Sequence, residues 1–248
     1  MDKNMTLEKR IAAELYSYQG KMSVFVDDLQ GHTVEIGADE EFETASTIKA
    51  YILAALYLQA SRGKASLEEK ITYKPEHFVD GSGMLRALGV GASLKVKDAA
   101  TMMIICSDNI ATNMVIDYLG LDTINACIRE LGFEHTVLHN PLHFDRYRQL
   151  GTTTPRDYAV LFARIAKGRL VSPAASALGI RISNIIIPTP EALAGHITVS
   201  AKTLKLPPAM PVQTERTIEN PSSSTNAARI IRKAGAERLY LSCLCDIP

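Results

Sequence analysis

The hydrophobic positions of this chain change period several times, and each change marks a new element. From Thr6 to Gln19 the apolar residues Leu7, Ile11, Leu15 and Tyr16 recur every three to four positions, which predicts an amphipathic helix capped by Thr6 and closed by Gly20. Two short β-rich runs follow, Met22 to Val26 and Thr33 to Ile36. Turn residues lie between them in Asp27-Asp-Leu-Gln-Gly31, so an antiparallel hairpin is expected. After Thr44 the pattern becomes Ile48, Tyr51, Ile52, Ala55 and Leu56, the spacing of a largely buried helix ending near Gly63, with Ser46 in its first turn. Helices are also predicted at Val96 to Cys106, Ala111 to Leu119 and Leu121 to Leu131. Thr154-Pro155 to Lys167 reads as a capping residue, a proline at the first helical position and an apolar face, and Ser172-Pro173 opens one more helix. Ile197 to Ser200 and Leu239 to Cys245 have strand character, whereas Asn220 to Asn226 is a serine-rich patch expected to form an exposed loop. Helix, hairpin, many helices and then strands imply an α+β fold whose antiparallel sheet is built from both chain ends around a helical insertion.

Composition narrows the classes of function. At 248 residues the chain suits one compact unit with room for a buried cleft. Its 27 basic residues equal its 27 acidic ones, which argues against nucleic acid or an anionic membrane as the main partner. No stretch reaches the length of a transmembrane helix, and charges occupy Met1 to Arg10 where a secretory signal would carry an apolar core. The sequence as written therefore predicts a cytoplasmic protein, and a periplasmic or extracellular one only if a leader has been removed. The cysteines Cys106, Cys127, Cys243 and Cys245 form no CxxC pair and the six histidines are scattered, so reduced thiols are expected and neither a metal nor a cofactor.

Two short motifs carry candidate chemistry. In Ser46-Thr-Ile-Lys49 a serine and a lysine three residues apart share a helical face, so the amine can take the hydroxyl proton once burial and the helix dipole disfavour the ammonium. About one such S-x-x-K is expected by chance at this composition, and Ser61-Arg-Gly-Lys64 is that decoy, a solvated turn at a helix end. Ser46 differs because it opens a long apolar helix, where a serine and lysine facing the core are costly unless paired or functional. The second motif, Ser107-Asp108-Asn109, has a chance expectation of only about 0.03 per chain. Its residues suit helix capping, and equally a second hydroxyl that returns a proton to a leaving nitrogen, with the Asn109 amide orienting substrate or Lys49.

Ser46-x-x-Lys49 followed by Ser107-Asp108-Asn109 resembles the motif order of class A β-lactamases and penicillin-binding proteins. Asp80-Gly-Ser-Gly-Met-Leu85, Leu94-Lys-Val-Lys-Asp98, Ser107-Asp-Asn-Ile-Ala-Thr-Asn113 and Thr152-Thr-Thr-Pro-Arg-Asp157 are similar to their counterparts there, so the resemblance runs from about Leu7 to about Ala177. It implies a β-lactamase/transpeptidase-like fold of two subdomains, an α/β part over about 1–60 and 180–248 and an all-α part over about 61–179, with the serine at their interface. It implies a serine hydrolase acting on β-lactams through an acyl-enzyme, with Ser46, Lys49 and Ser107 catalytic and Asn109, Lys202 and Thr203 binding the substrate. It also implies an oxyanion hole made by the nucleophile's N–H and one from the terminal strand.

Three departures qualify the expected activity. The family's Lys-Thr-Gly becomes Lys202-Thr203-Leu204, and a side chain in place of glycine crowds the backbone that the substrate must approach. The Glu-x-x-Leu-Asn loop that serves deacylation in class A β-lactamases has no matching glutamate between Thr136 and Leu150. Asp145 is the one carboxylate there, better suited to a surface ion pair with Arg146 or Arg148, so slow deacylation is predicted. After about Leu178 the likeness stops, which implies a tail that has diverged or is read in a shifted frame, with Leu239 to Cys245 serving as the last strand. The alternatives are a D,D-peptidase or esterase of the same fold, favoured by the missing glutamate, and an inactive relative that binds a ligand or partner, favoured by Leu204 and the tail.

Overall fold

The computed structural model describes residues 6–16, residues 21–171 apart from 28, 30 and 148, and the strand Tyr240–Cys245. Helix α1 (Leu7–Leu15) is capped by the Thr6 hydroxyl, which accepts from Lys9 N–H at 3.4 Å. It ends earlier than the apolar period suggested, and residues 17–20 lie outside the described residues. Strands β1 (Met22–Asp27) and β2 (Thr33–Ile36) form the expected hairpin, with Val24 opposite Ile36. The Asp27 carboxylate accepts from Leu29 N–H at 2.6 Å, an Asx turn that starts the reversal.

The last described strand, Tyr240–Cys245, lies antiparallel to β1 on its other edge, with Met22 opposite Cys245 and Asp27 opposite Tyr240. The sheet thus joins the two ends of the chain, as the order of elements predicted. One of its faces is covered by the helix Pro155–Ala166, where Phe25, Ala38 and Ala159 pack together. Arg156 opens that helix and ties it to the sheet: its guanidinium lies 5.0 Å from the Phe25 ring centre and bonds the carboxylates of Glu35 and Asp39. These contacts hold both carboxyl groups below their usual range. Arg156→Ala is expected to cost about 1 kcal/mol in low salt and less in molar salt, because the pairs are solvent-exposed. Thermal denaturation at the two ionic strengths checks this, and a loss that salt leaves unchanged would assign the effect to packing on Phe25 instead.

The helical part is organised around the helix Ile48–Ser61, in which Ile48 to Gln59 are buried except Ala50. A helix that is apolar on every side must be surrounded. This one is, by the helices Val96–Ile105, Asn109–Leu119 and Leu121–Glu130 and by a small sheet beneath it. That sheet has the order Phe42–Glu43, Gly151–Thr153, Val137–Leu138. Tyr51 reaches it from the helix, its hydroxyl 2.8 Å from Thr153 Oγ1, and burial pushes the phenol well above its usual proton affinity. At Gly151 a Cβ would come within 2.6 Å of the Val137 carbonyl oxygen, so the close pass of these strands requires glycine. Strands Lys70–Thr72 and Ser93–Lys95 form a separate antiparallel pair. In chain order the strands are β1 (Met22–Asp27), β2 (Thr33–Ile36), β3 (Phe42–Glu43), β4 (Lys70–Thr72), β5 (Ser93–Lys95), β6 (Val137–Leu138), β7 (Gly151–Thr153) and β8 (Tyr240–Cys245). The helices after α1 are α2 (Ile48–Ser61), α3 (Val96–Ile105), α4 (Asn109–Leu119), α5 (Leu121–Glu130) and α6 (Pro155–Ala166). Among the described residues no helix is long and apolar enough to cross a membrane.

Candidate active site

Ser46 lies in a short 3₁₀ turn, Ala45–Thr47, that leads directly into α2, one step before the α-helical turn its spacing predicted. Lys49 lies in the α-helix that follows, so the pair spans the junction between the two windings. The turn is held from both sides. Thr44 N–H donates to the Gly151 carbonyl at 2.9 Å, and Ala45 adopts a left-handed backbone with φ of 43°. A non-glycine residue in this region stores strain that the surrounding structure must hold. Ser107 does the same at the second motif, with φ of 49° between α3 and α4. Of the three non-glycine residues with positive φ among the described residues, Leu29 lies in the hairpin turn and the other two adjoin or form the two predicted motifs.

Lys49 brings the motifs together. It is 2% exposed, and its Nζ lies 3.2 Å from Ser46 Oγ, 2.9 Å from Ser107 Oγ, 2.8 Å from the Ser107 carbonyl oxygen and 2.8 Å from Asn109 Oδ1. The Ser107 and Ser46 hydroxyl oxygens are 3.1 Å apart. Two of these neighbours, the carbonyl and the amide oxygen, only accept, whereas the two hydroxyls either donate or accept. A neutral amine gives its two N–H groups to the two pure acceptors and its lone pair to one hydroxyl, and the other hydroxyl is met through the contact between Ser107 and Ser46. Burial lowers the Lys49 pKa to about 8, against the smaller opposing pull of the Asp108 charge.

The Asn109 amide is engaged at both ends, accepting from Lys49 through Oδ1 and donating through Nδ2 to the Asp80 carbonyl at 3.0 Å. Of the two roles its sequence position allowed, the contact in the structure is with Lys49, and its side chain also borders the cleft. Asp108 caps α4 by accepting from Ala111 N–H at 2.9 Å, and its other oxygen accepts from Met84 and Leu85 N–H at 2.6 and 2.9 Å. Capping and the functional reading of Ser107-Asp108-Asn109 are therefore compatible. The second grip was not visible in the sequence, although Asp80-Gly-Ser-Gly83 carries its trace. Gly83 has φ of 121°, and a Cβ there would overlap the Asp108 carboxylate and approach its Cα to 2.6 Å.

A cleft of about 280 Å³ opens over Ser46. Its walls are Glu43 and Ala45 beside the serine, Gly81, Ser82 and Asn109 across from it, and the loop residues Pro141, Leu142, His143, Phe144, Tyr147, Gln149 and Leu150. Asn113 fixes that loop by bonding the Leu142 backbone in both directions, at 2.9 Å to its carbonyl and 2.8 Å from its N–H. Asp145 is exposed and is not part of the cleft wall. It makes no ion pair with Arg146 among the described residues, and Arg148 is not one of them. Glu43 and Leu142 were not singled out as site residues from the sequence. Both are placed in the cleft by tertiary contacts. Lys202, Thr203 and the expected strand Ile197 to Ser200 lie outside the described residues. The decoy behaves as a helix end: Ser61 Oγ donates to the Leu58 carbonyl at 2.8 Å and Lys64 is exposed. Among the described residues no cluster of three or more metal-ligating side chains occurs.

Comparison with known proteins agrees with this geometry. The model of the β-lactamase enzyme family matches residues 6–183. The β-lactamase ROB-1 of Haemophilus influenzae is 32% identical over 129 residues, which span 51% of this chain and 41% of that protein, so the chain covers about two fifths of this curated relative. Among solved structures, a mutant of PBP-A in an acyl-enzyme complex with penicillin G is 30% identical with a TM-score of 0.67, covering 73% of this chain and 69% of that one. The β-lactamase of Sphaerobacter thermophilus is 27% identical with a TM-score of 0.64, covering 71% and 67%. The fold is the β-lactamase/transpeptidase-like α+β fold. With the family match spanning well over half its length, the chain belongs to the β-lactamase enzyme family, alongside the class A β-lactamases.

Proposed function

We propose that the protein is a serine hydrolase that forms an acyl-enzyme on Ser46, with β-lactams as its substrate class and deacylation as its slow step. The observation that carries this reading is the buried Ser46–Lys49–Ser107 cluster, with Lys49 Nζ within 3.2 Å of both hydroxyls. Neutral Lys49 takes the Ser46 proton as Oγ attacks the carbonyl carbon of the substrate. The C–N bond of the tetrahedral intermediate then breaks, and Ser107 Oγ passes the proton from Lys49 to the leaving nitrogen. Ser46 falls among the first N–H groups of a helical start, which have no acceptor within the helix, and so supplies one oxyanion donor. The partner donor expected from the terminal strand is not among the described residues that line the cleft.

The loop that borders the cleft supports slow deacylation. The loop that would carry the family's glutamate offers Leu142 and its neighbours there, and its one carboxylate, Asp145, is not part of that wall. The same observation favours a second reading, a D,D-peptidase or esterase of this fold, which also passes through an acylated Ser46. Incubation with a fluorescent penicillin and a chromogenic cephalosporin tests the proposal, read by intact mass, peptide mapping and colour. The expected result is a persistent adduct on the peptide containing Ser46 with little colour. Rapid colour without adduct would refute slow deacylation, and neither signal would refute β-lactams as substrates.

A further inference from the structure

We infer that Glu43 is the base for deacylation, activating water against the Ser46 ester in place of the missing loop glutamate. This inference rests on the acyl-enzyme reading above. Among the described residues Glu43 is the one carboxylate that borders the cleft. The other acidic side chain close to the motifs, Asp108, is fully buried and spent on three backbone N–H groups.

Strand alternation explains why Glu43 is there. Phe42 is 3% exposed and turns into the core, so its neighbour faces the other way, toward the cleft. Pairing holds that direction, with Phe42 opposite Thr153 and Glu43 opposite Thr152, and Thr44 is bonded to Gly151 just before the chain turns into Ala45 and Ser46. The Glu43 side chain makes no hydrogen bond or ion pair among the described residues and is exposed, so its carboxylate is available to water. His143 also borders the cleft and is the rival base. It is half-buried where Glu43 is exposed, but it sits on an irregular loop, and its ring leans on that of Tyr147 at 6.4 Å. A base works best on a rigid element, and Glu43 has one.

In the step itself, the Glu43 carboxylate takes a proton from water as the water oxygen bonds to the ester carbonyl carbon. Collapse of the tetrahedral intermediate breaks the bond to Ser46 Oγ. The proton held by Glu43 ends on that oxygen, restoring hydroxyl and carboxylate and releasing the free acid.

The test separates the two halves of the reaction. Parent, Glu43→Gln, Glu43→Asp and His143→Asn proteins are pulsed with a fluorescent penicillin, and the rise and decay of the adduct are followed by intact mass. Glu43→Gln is expected to acylate at the parental rate, which also shows it folded, while its adduct lives about 10²-fold longer. Glu43→Asp should lie between, and His143→Asn should lengthen the adduct's life far less than Glu43→Gln does, whatever it does to acylation. Equal adduct lifetimes in the parent and Glu43→Gln, or a slowing confined to His143→Asn, would overturn the assignment of Glu43 while leaving the acyl-enzyme intact. Absence of any adduct in all four proteins would overturn the β-lactam reading of the acyl-enzyme on which Glu43 rests, and the assignment with it.

Discussion

Lys49→Ala protein will be acylated by a fluorescent penicillin about 10³-fold more slowly than the parent at neutral pH, and Ser46→Ala protein will not be acylated at all. The first figure corresponds to about 4 kcal/mol of barrier, within the range a positioned base supplies. The reason is that Lys49 is the base nearest the nucleophile, buried with its Nζ 3.2 Å from Ser46 Oγ and oriented by Asn109 and the Ser107 carbonyl. Lys49→Arg should not rescue the rate, because a guanidinium stays charged and has no lone pair to offer. The parental rate should also depend on pH with a definite sign. A lysine with a pKa of about 8 is mostly ammonium at pH 7 and mostly amine at pH 9, so acylation should rise about tenfold across that interval and level off above it. Stopped-flow labelling at several pH values checks both statements. A near-parental rate in Lys49→Ala, or a flat profile between pH 6 and 9, would show that another group deprotonates Ser46.

The second large effect is expected at a residue that never meets the substrate. Asp108→Ala leaves the N–H groups of Met84, Leu85 and Ala111 without their acceptor, those of Leu85 and Ala111 in a fully buried setting. Hydrogen bonds to a charged group contribute about 1.5–3 kcal/mol each, and partial relaxation of the loop reduces the sum to about 3–5 kcal/mol. For a chain of this size that is a fall in Tm on the order of 10 °C. Acylation should fall as well, because Asp108 fixes the junction that presents Ser107 and Asn109 to Lys49. Gly83→Ala should mimic it from the other side, since the added Cβ falls on the Asp108 carboxylate and the backbone φ of 121° disfavours any side chain. Differential scanning calorimetry together with the labelling rate decides the matter. A Tm within about 2 °C of the parent in both variants would mean the loop is held by other contacts.

Much of the architecture was readable because its signals are local. Thr6, Asp108 and Thr154 were recognisable caps, and each side chain does accept from the N–H three residues on. Helix α4 nevertheless starts at Asn109, two residues before the apolar face begins. The start is set by where Asp108 caps, and the side chains of Asn109 and Ile110 had no periodic signature to announce it. Strand β8 was expected from its apolar run, but its neighbour could be known only from the pairing with β1.

The site divides in the same way. Ser46 and Lys49 were legible as a pair because three residues of helical backbone place them on one face whatever the rest of the chain does. Glu43 gave no such signal, since a glutamate on a short strand is ordinary until the fold sets it beside a nucleophile. Asp145 shows the converse, a carboxylate at a suggestive sequence position that the loop conformation carries out to solvent.

By itself, then, the sequence determined the succession of helices and strands, the serine–lysine pair, the second motif and, through their order, the family. These depend on backbone periods and on spacings within a few residues, which short-range geometry enforces. Only the tertiary structure decided that Ser107 lies 2.9 Å from Lys49 across a separation of 58 residues, that Asp108 grips a second loop, and that Glu43 borders the cleft. It also decided the proton affinity of Lys49, because desolvation is a property of everything packed around the amine and of nothing in the four residues Ser46-Thr-Ile-Lys49 alone.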